Sequence, residues 1–239
     1  MRLAEREENI LDFIIRDFIR SAAPVSSGRI VDESSFDLSP ATIRNAMLKL
    51  DEEGFLEQPH TSAGRIPTDR GYRYFVDNLM EHEIPQKKER EIFEEMQKNF
   101  QDSSEDLFEN FGKEVSRHLN LFCGFAKFGA RLHTDGYGFE EVLKEPEFED
   151  REMLLEFGKL VDNLDLLTSN YFERTRRGNP AVFIGEENPI RSARNFGAVS
   201  VRFENGNFGK GVIFSIGPKR MNYERASALL DFALKQFIK

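Results

Sequence analysis

The apolar positions of residues 1–80 recur at helical spacing, and the gaps between them carry turn and cap residues. In Arg6–Arg20, Ile10, Ile14 and Phe18 fall on one face and Leu11, Phe13 and Ile15 widen it, which predicts an amphipathic helix stopped by Ala23-Pro24. Ser26–Asp32 predicts a short second helix with Val25, Ile30 and Val31 inward. Ser39 then offers a hydroxyl N-cap, Pro40 suits the first helical position because its missing N–H has no intrahelical partner there, and Gly54 supplies a left-handed end. Between these signals Ile43, Ala46, Met47 and Leu50 repeat at three, four and seven, so Ala41, Thr42, Arg44, Asn45 and Lys49 turn to the other side or its flanks. Phe55–Gln58 and Arg65–Pro67 read as short strands around the polar loop Pro59–Gly64, and Thr68 caps a fourth helix reaching about Met80.

The pattern changes after residue 80. Glu81–Asn120 is highly charged, with Phe93, Met96, Phe100, Leu107, Phe111, Val115 and Leu119 spaced at three or four. It reads as a helical linker or hairpin interrupted near Gln101–Ser104. Leu121–Phe128 predicts a strand, Arg131–Gly138 a loop, and Asp150–Phe172 one helix with Met153, Phe157, Leu160, Val161, Leu164 and Leu167 in a stripe. Ala181–Gly185 predicts a short strand. Gly197–Glu204 and Gly209–Ile216 predict strands joined by the turn Asn205-Gly206-Asn207, and Asn222 caps a last helix lined by Ala226, Leu229, Leu230, Ala233 and Phe237. The expected class is α+β, with a first domain over 1–80, a helical linker or dimerisation segment over 81–120, and an α+β domain over 121–239 with a mostly antiparallel sheet.

Charge and composition narrow the chemistry. A net charge of −9 argues against a non-specific coat on nucleic acid, but a specific reader needs only a local basic field. Arg44 and Lys49 are the only charges of Ser39–Leu50, and Arg65, Arg70 and Arg73 outweigh Asp69 between Gln58 and Phe75. No apolar run is long enough to span a bilayer, the acidic N-terminus has no signal core, and the single Cys123 suits a reducing compartment, so cytoplasmic residence is expected.

A helix entering the major groove needs a small residue for close approach, an Arg able to bond guanine and an Asn able to bond adenine. Thr42, Arg44 and Asn45 meet that need, with Ser39 at the helix start and Lys49 placed for a phosphate. His60, Thr61, Ser62 and Arg65 suit a wing lying along the backbone or in the minor groove, and Thr68, Arg70 and Arg73 add phosphate contacts. The same spacing also serves a winged-helix scaffold used for protein contacts, with Arg44 and Asn45 an ordinary solvated face, and spacing alone leaves both open.

Over Ser39–Asp77 the chain resembles the heat-inducible transcription repressor HrcA family, and Ala23–Ile30, Leu143–Asp150, Phe183–Ile190 and Ile216–Leu230 resemble further segments of it in the right order. The resemblance implies an N-terminal winged helix-turn-helix and a reduced GAF-like C-terminal domain. It implies a repressor that binds, as a homodimer, double-stranded DNA carrying an inverted repeat of the CIRCE type upstream of chaperone operons. The chaperonin GroEL is implied as a modulator. From the residues themselves, His60, His82, His118 and His133 are scattered without zinc spacing, and no cofactor, metal, membrane span or catalytic role is expected. Family members are longer and carry a dimerisation insert where this chain has only Leu121–Glu140, so dimerisation is expected through Glu81–Asn120 and the remaining C-terminal surface. A ligand-sensing regulator controlled through the GAF-like domain is the other reading.

Other constellations read as structure. Cys123 with His118 or His133 is a conceivable nucleophile pair, but a buried structural thiol is the simpler expectation. Glu186-Glu187 reads as a turn rather than an acid–base pair, and Gly217-Pro218-Lys219-Arg220 as a strand-to-helix turn with Met221 packed, rather than an anion site. Gly136-Tyr137-Gly138 lacks the third glycine of a dinucleotide loop. The 23 phenylalanines fall mostly at helix or strand periodicity and are expected in the core.

Overall fold

The computed structural model describes residues 2–34, 36–60, 63–81, 83–99, 104–205 and 209–237; at 96–99, 104–107, 205, 236 and 237 it describes the backbone alone. The chain divides into two compact units, residues 1–81 and 82–239.

The first unit packs three helices, α1 (Glu5–Ser21), α2 (Ser27–Glu33) and α3 (Pro40–Glu52), against a small antiparallel pair, β1 (Leu56–Glu57) and β2 (Ile66–Pro67). Ile10, Leu11, Ile14, Ile15, Val25 and Ile30 are fully buried, whereas Val31 is only half-buried. The C-terminus of α3 closes through Gly54, at φ +76°: the Gly54 N–H donates to the Asp51 carbonyl (2.9 Å) and the Phe55 N–H to the Leu50 carbonyl (2.8 Å). Those two bonds satisfy carbonyls that the helix end would otherwise leave open. Val25, between α1 and α2, exchanges both backbone bonds with Arg65 at 2.9 Å. Gly64 makes that approach possible, because a Cβ there would lie 2.3 Å from the Val25 carbonyl oxygen. Thr68 accepts from the Gly71 N–H (3.1 Å) and donates to the Gly54 carbonyl (2.7 Å), so one hydroxyl starts α4 (Asp69–Tyr74) and ties it to the end of α3. The expected run to Met80 continues from α4 as a π-helical turn over Phe75–Leu79.

The second unit is built on a five-stranded antiparallel sheet: β3 (Phe122–Phe128), β4 (Leu132–Tyr137), β5 (Ala181–Ile184), β6 (Phe196–Asn205) and β7 (Gly209–Pro218), in the order β4-β3-β7-β6-β5. Helices α8 (Arg151–Asp162) and α9 (Leu164–Arg174) cover one face, where Phe122, Phe157, Leu160, Leu167, Tyr171, Phe196 and Phe214 form one core. The opposite side chains of the same strands meet other helices: Phe108 of α6 (Ser104–Leu119) stacks on Phe125 and Phe203, at 4.9 and 5.4 Å between ring centroids. Phe93 of α5 (Lys87–Asn99) packs against Phe111 of α6 and Phe232 of α10 (Tyr223–Phe237). A sheet covered on both sides buries consecutive residues, which explains near-continuous apolar strands such as Val212–Ile216.

Three expectations change. Arg131–Gly138 is not a loop: Leu132–Tyr137 is the edge strand β4, paired residue by residue with β3. An edge is held by backbone pairing on one side, so it does not need apolar alternation. The single helix over Asp150–Phe172 is two, broken at Asn163, whose φ −108°, ψ 28° is non-helical and whose amide donates to the Lys159 carbonyl at 2.7 Å. The helices of Glu81–Asn120 fall in the second unit, where Phe93, Phe111 and Val115 of the expected stripe are fully buried. Gln101–Ser103 and Gly206-Asn207 lie outside the described residues.

A short helix α7 (Phe139–Val142) follows β4. The strand-to-helix turn after β7 has Met221 buried and its N–H on the Pro218 carbonyl (2.9 Å), while Asn222 accepts from the Arg225 N–H (3.0 Å) as the cap of α10.

Candidate nucleic-acid interface

α3 has one face for the core and one for the outside. Ile43, Ala46, Met47 and Leu50 are buried, and Ala41, Arg44, Asn45, Leu48 and Lys49 are exposed. Arg44 and Asn45 have no hydrogen-bond or ion-pair partner among the described residues, so their donor and acceptor groups point to water from a helix that the core and both caps hold rigid. Among the described residues such groups have no bond within the protein that a ligand must first break, only water to displace.

The other expected contacts are engaged within the unit to different degrees. The Ser39 oxygen accepts from the Thr42 N–H (3.1 Å) and lies 2.8 Å from the Thr42 hydroxyl, so these two side chains build the N-terminus of α3. Lys49 Nζ lies 3.4 Å from Oε1 of Glu7, a buried carboxylate of α1, and 4.0 Å from Glu53. Arg65 reaches Asp51 at 2.7 Å and is mostly buried. The Arg70 guanidinium stacks 4.5 Å over the Phe55 ring, and Arg73 pairs with Asp77 at 3.1 Å. Thr68 is the cap described above.

In the loop between β1 and β2, His60 is exposed; its carbonyl accepts from the Ala63 N–H (2.8 Å), and the Gln58 amide donates to the Ala63 carbonyl (2.9 Å). Thr61 and Ser62 lie outside the described residues. The structure therefore brings Ser39, Thr42, Arg44, Asn45 and Lys49 onto one helix, and puts His60 at the tip of a separate turn. Sequence spacing passes over Leu48, which is 45% exposed; the signal that finds it is an apolar residue out of phase with the core stripe.

The second unit places its reactive groups where they serve the fold. Cys123 is buried, and burial pushes its thiol up to about 12, a bond with Ser215 opposing. At that value it stays protonated at neutral pH and is a poor nucleophile. His118 bonds the Glu114 carbonyl at 2.8 Å and His133 pairs with Asp135 at 2.8 Å. Glu187 accepts from the Ile184 N–H (2.9 Å), Glu186 pairs with Arg194 (2.9 Å), and Arg220 is clamped by Glu145 and Glu147. Among the described residues no His, Cys, Asp and Glu cluster has the makings of a metal site, and no helix is long and apolar enough to cross a membrane.

Comparison with known proteins adds a family to this geometry. The family model described as HrcA protein C terminal domain matches residues 69–226, which includes α4 and most of the second unit but not α3. The heat-inducible transcription repressor HrcA of Desulforudis audaxviator is 46% identical over 117 residues, covering 49% of this chain and 34% of that protein. The chain thus spans about a third of that repressor's length. The protein of the same name from Thermodesulfovibrio yellowstonii is 25% identical over 332 positions, covering 96% of this chain and 95% of that protein. Since this chain has 239 residues, at least 93 of those positions have no counterpart in it. A crystal structure of a hypothetical protein shares the fold, with a TM-score of 0.76 at 19% identity, over 98% of this chain and 97% of that one.

Proposed function

The chain belongs to the HrcA family, and from that premise we propose that it is a transcriptional repressor of chaperone operons that reads an inverted-repeat operator with α3. The first unit acts as a winged helix: α3 lies in the major groove, and the β1–β2 loop is the wing against the backbone or minor groove. Arg44 and Asn45 read base edges. Ser39, Thr42, Lys49, His60, Thr61, Ser62, Arg65, Thr68, Arg70 and Arg73 hold the helix and the wing in register or meet phosphates. The single observation that carries this reading is the pair Arg44 and Asn45, exposed and, among the described residues, unpartnered on the outer face of a helix whose inner face is sealed.

The two-fold symmetry of such an operator calls for two copies, so the protein acts as a homodimer in the cytoplasm. The second unit, a reduced GAF-like domain, supplies the contact. Phe93, Phe108, Phe111 and Val115 turn inward from α5 and α6, and the exposed residues of these helices and the outer surface of α8 and α9 serve that purpose. GroEL modulation follows from the family resemblance alone.

A gel shift with an inverted-repeat duplex and a scrambled duplex at two salt concentrations tests the reading. The expected result is preference for the repeat, with affinity falling as salt rises. Equal binding to both duplexes, or none, sinks it. Added chaperonin is expected to raise the bound fraction.

A further inference from the structure

Leu48 occupies an odd place. A surface helix ordinarily turns polar residues to the outside, yet Leu48 is 45% exposed at nearly the opposite pole of α3 from Ile43, Ala46, Met47 and Leu50. At 3.6 residues per turn it lies about 40° around the axis from Arg44 and about 60° from Asn45, and about 6 Å further along than Arg44. It therefore shares one outward stripe with Ala41, Arg44 and Asn45. Arg44 and Asn45 hold polar groups toward the same side, so a partner lying along this stripe meets the Leu48 methyls as well.

In the major groove one base pair type presents an apolar group, the C5-methyl of thymine. Successive base pairs are about 3.4 Å apart, so a 6 Å offset places Leu48 one or two steps from the base met by Arg44. We propose that Leu48 is a specificity-determining residue that recognises a thymine methyl beside the base read by Arg44. The inference rests on the DNA-reading assignment of α3 and deepens it: Arg44 and Asn45 read by hydrogen bonds, and Leu48 reads by burying a methyl.

Deoxyuridine lacks only that methyl and keeps thymine's pairing edge. The full chain and its Leu48→Ala variant are titrated against the inverted-repeat duplex, with thymines replaced by deoxyuridine one position at a time in both half-sites. The wild-type chain is expected to lose about fourfold per methyl at one position, the value of burying one such group, and nothing at the others. Leu48→Ala is expected to bind the thymine and deoxyuridine duplexes alike, and Leu48→Met to restore the preference. The sensitive position is expected one or two steps from the base whose preference relaxes in Arg44→Ala. Thermal melting of Leu48→Ala close to wild type shows that the fold is kept. Specific binding with no deoxyuridine effect in the wild type, or a Leu48→Ala variant that keeps the effect, overturns the inference and leaves the DNA reading intact. No preference for any inverted repeat overturns both.

Discussion

On the outer face of α3, Arg44 and Asn45 stand exposed and, among the described residues, without partners. In the second unit the comparable chemistry is closed off: Tyr171 donates to Asn188 at 2.7 Å inside the core, Arg220 is held by two carboxylates, and Cys123 is buried within β3. One unit leaves polar groups open to a ligand and the other uses them to complete its own interior. A polar group left open costs little in water but is ready for recognition, whereas a buried one must be satisfied internally or destabilise the fold. Substitutions should therefore act on binding in the first unit and on stability in the second.

The largest effect is expected from the sealed interior. Phe157 is fully buried against Phe122, Phe148 and Phe196, with centroid distances of 5.7, 5.2 and 5.4 Å. Phe157→Ala removes the ring from the centre of the face covered by α8 and α9 and should lower the stability of the second unit by about 3–5 kcal/mol, read as a shift in the urea midpoint. A change under about 1 kcal/mol would mean that this face is far looser than its ring contacts imply.

Next in size is Arg44→Ala. It should weaken operator binding by about 1–3 kcal/mol and relax preference at one base pair, while moving the thermal midpoint hardly at all, since Arg44 is exposed and no hydrogen bond or ion pair among the described residues is lost. A large stability loss with unchanged binding would erase the contrast between the two units at the residue where it is sharpest.

The legibility of the chain follows the same divide. Ser39, Pro40 and Gly54 bound α3 by local bonds, and Ile43, Ala46, Met47 and Leu50 report its inner face by spacing, so helix and orientation are readable from Ser39–Gly54 alone. Partners across the fold are not. Lys49 and Arg65 read as available charges, but Glu7 and Asp51 reach them only after α1 packs on α3 and β2 pairs with β1. Edge strand β4 has no apolar period because none of its residues is fully buried, and Gly136 makes room for the Phe122 ring, 2.1 Å from where a Cβ would stand. The break at Asn163 is hidden because the apolar stripe keeps its period from Leu160 to Leu167 across it.

Alkaline pH should separate the units as well. An unfolded thiol ionises near ~8.5, while the folded Cys123 stays protonated up to about 12 because it is buried. The folded pKa lies above the unfolded one, so the contribution is fully present below pH ~8.5 and is lost as pH rises toward the folded value, by about 1.4 kcal/mol per pH unit. Tyr171, also raised by burial, adds to the loss above pH ~10. Urea midpoints at pH 8, 9 and 10 should fall for the wild type and fall less steeply for Cys123→Ala. Identical slopes would remove Cys123 as the cause.

The smallest effect is expected at Lys49, and it tests the contrast from within the first unit. Its ammonium faces Glu7 at 3.4 Å, yet its side chain is half exposed and Arg6 also approaches Glu7, at 3.5 Å. With the Lys49 end half exposed and Arg6 left beside the buried Glu7 carboxylate, the pair contributes about 1 kcal/mol or less, so Lys49→Ala should change stability only slightly. Binding is the sharper readout. If Lys49 swings from Glu7 to a phosphate, the variant weakens all duplexes alike and reduces the salt slope by about 0.9 per half-site. Glu7→Gln, which removes the competing charge, should then strengthen binding slightly and leave base preference untouched. If instead both variants lower the thermal midpoint and neither moves the salt slope, Lys49 belongs with the closed interior, and the open surface of α3 narrows to Arg44, Asn45 and their immediate neighbours.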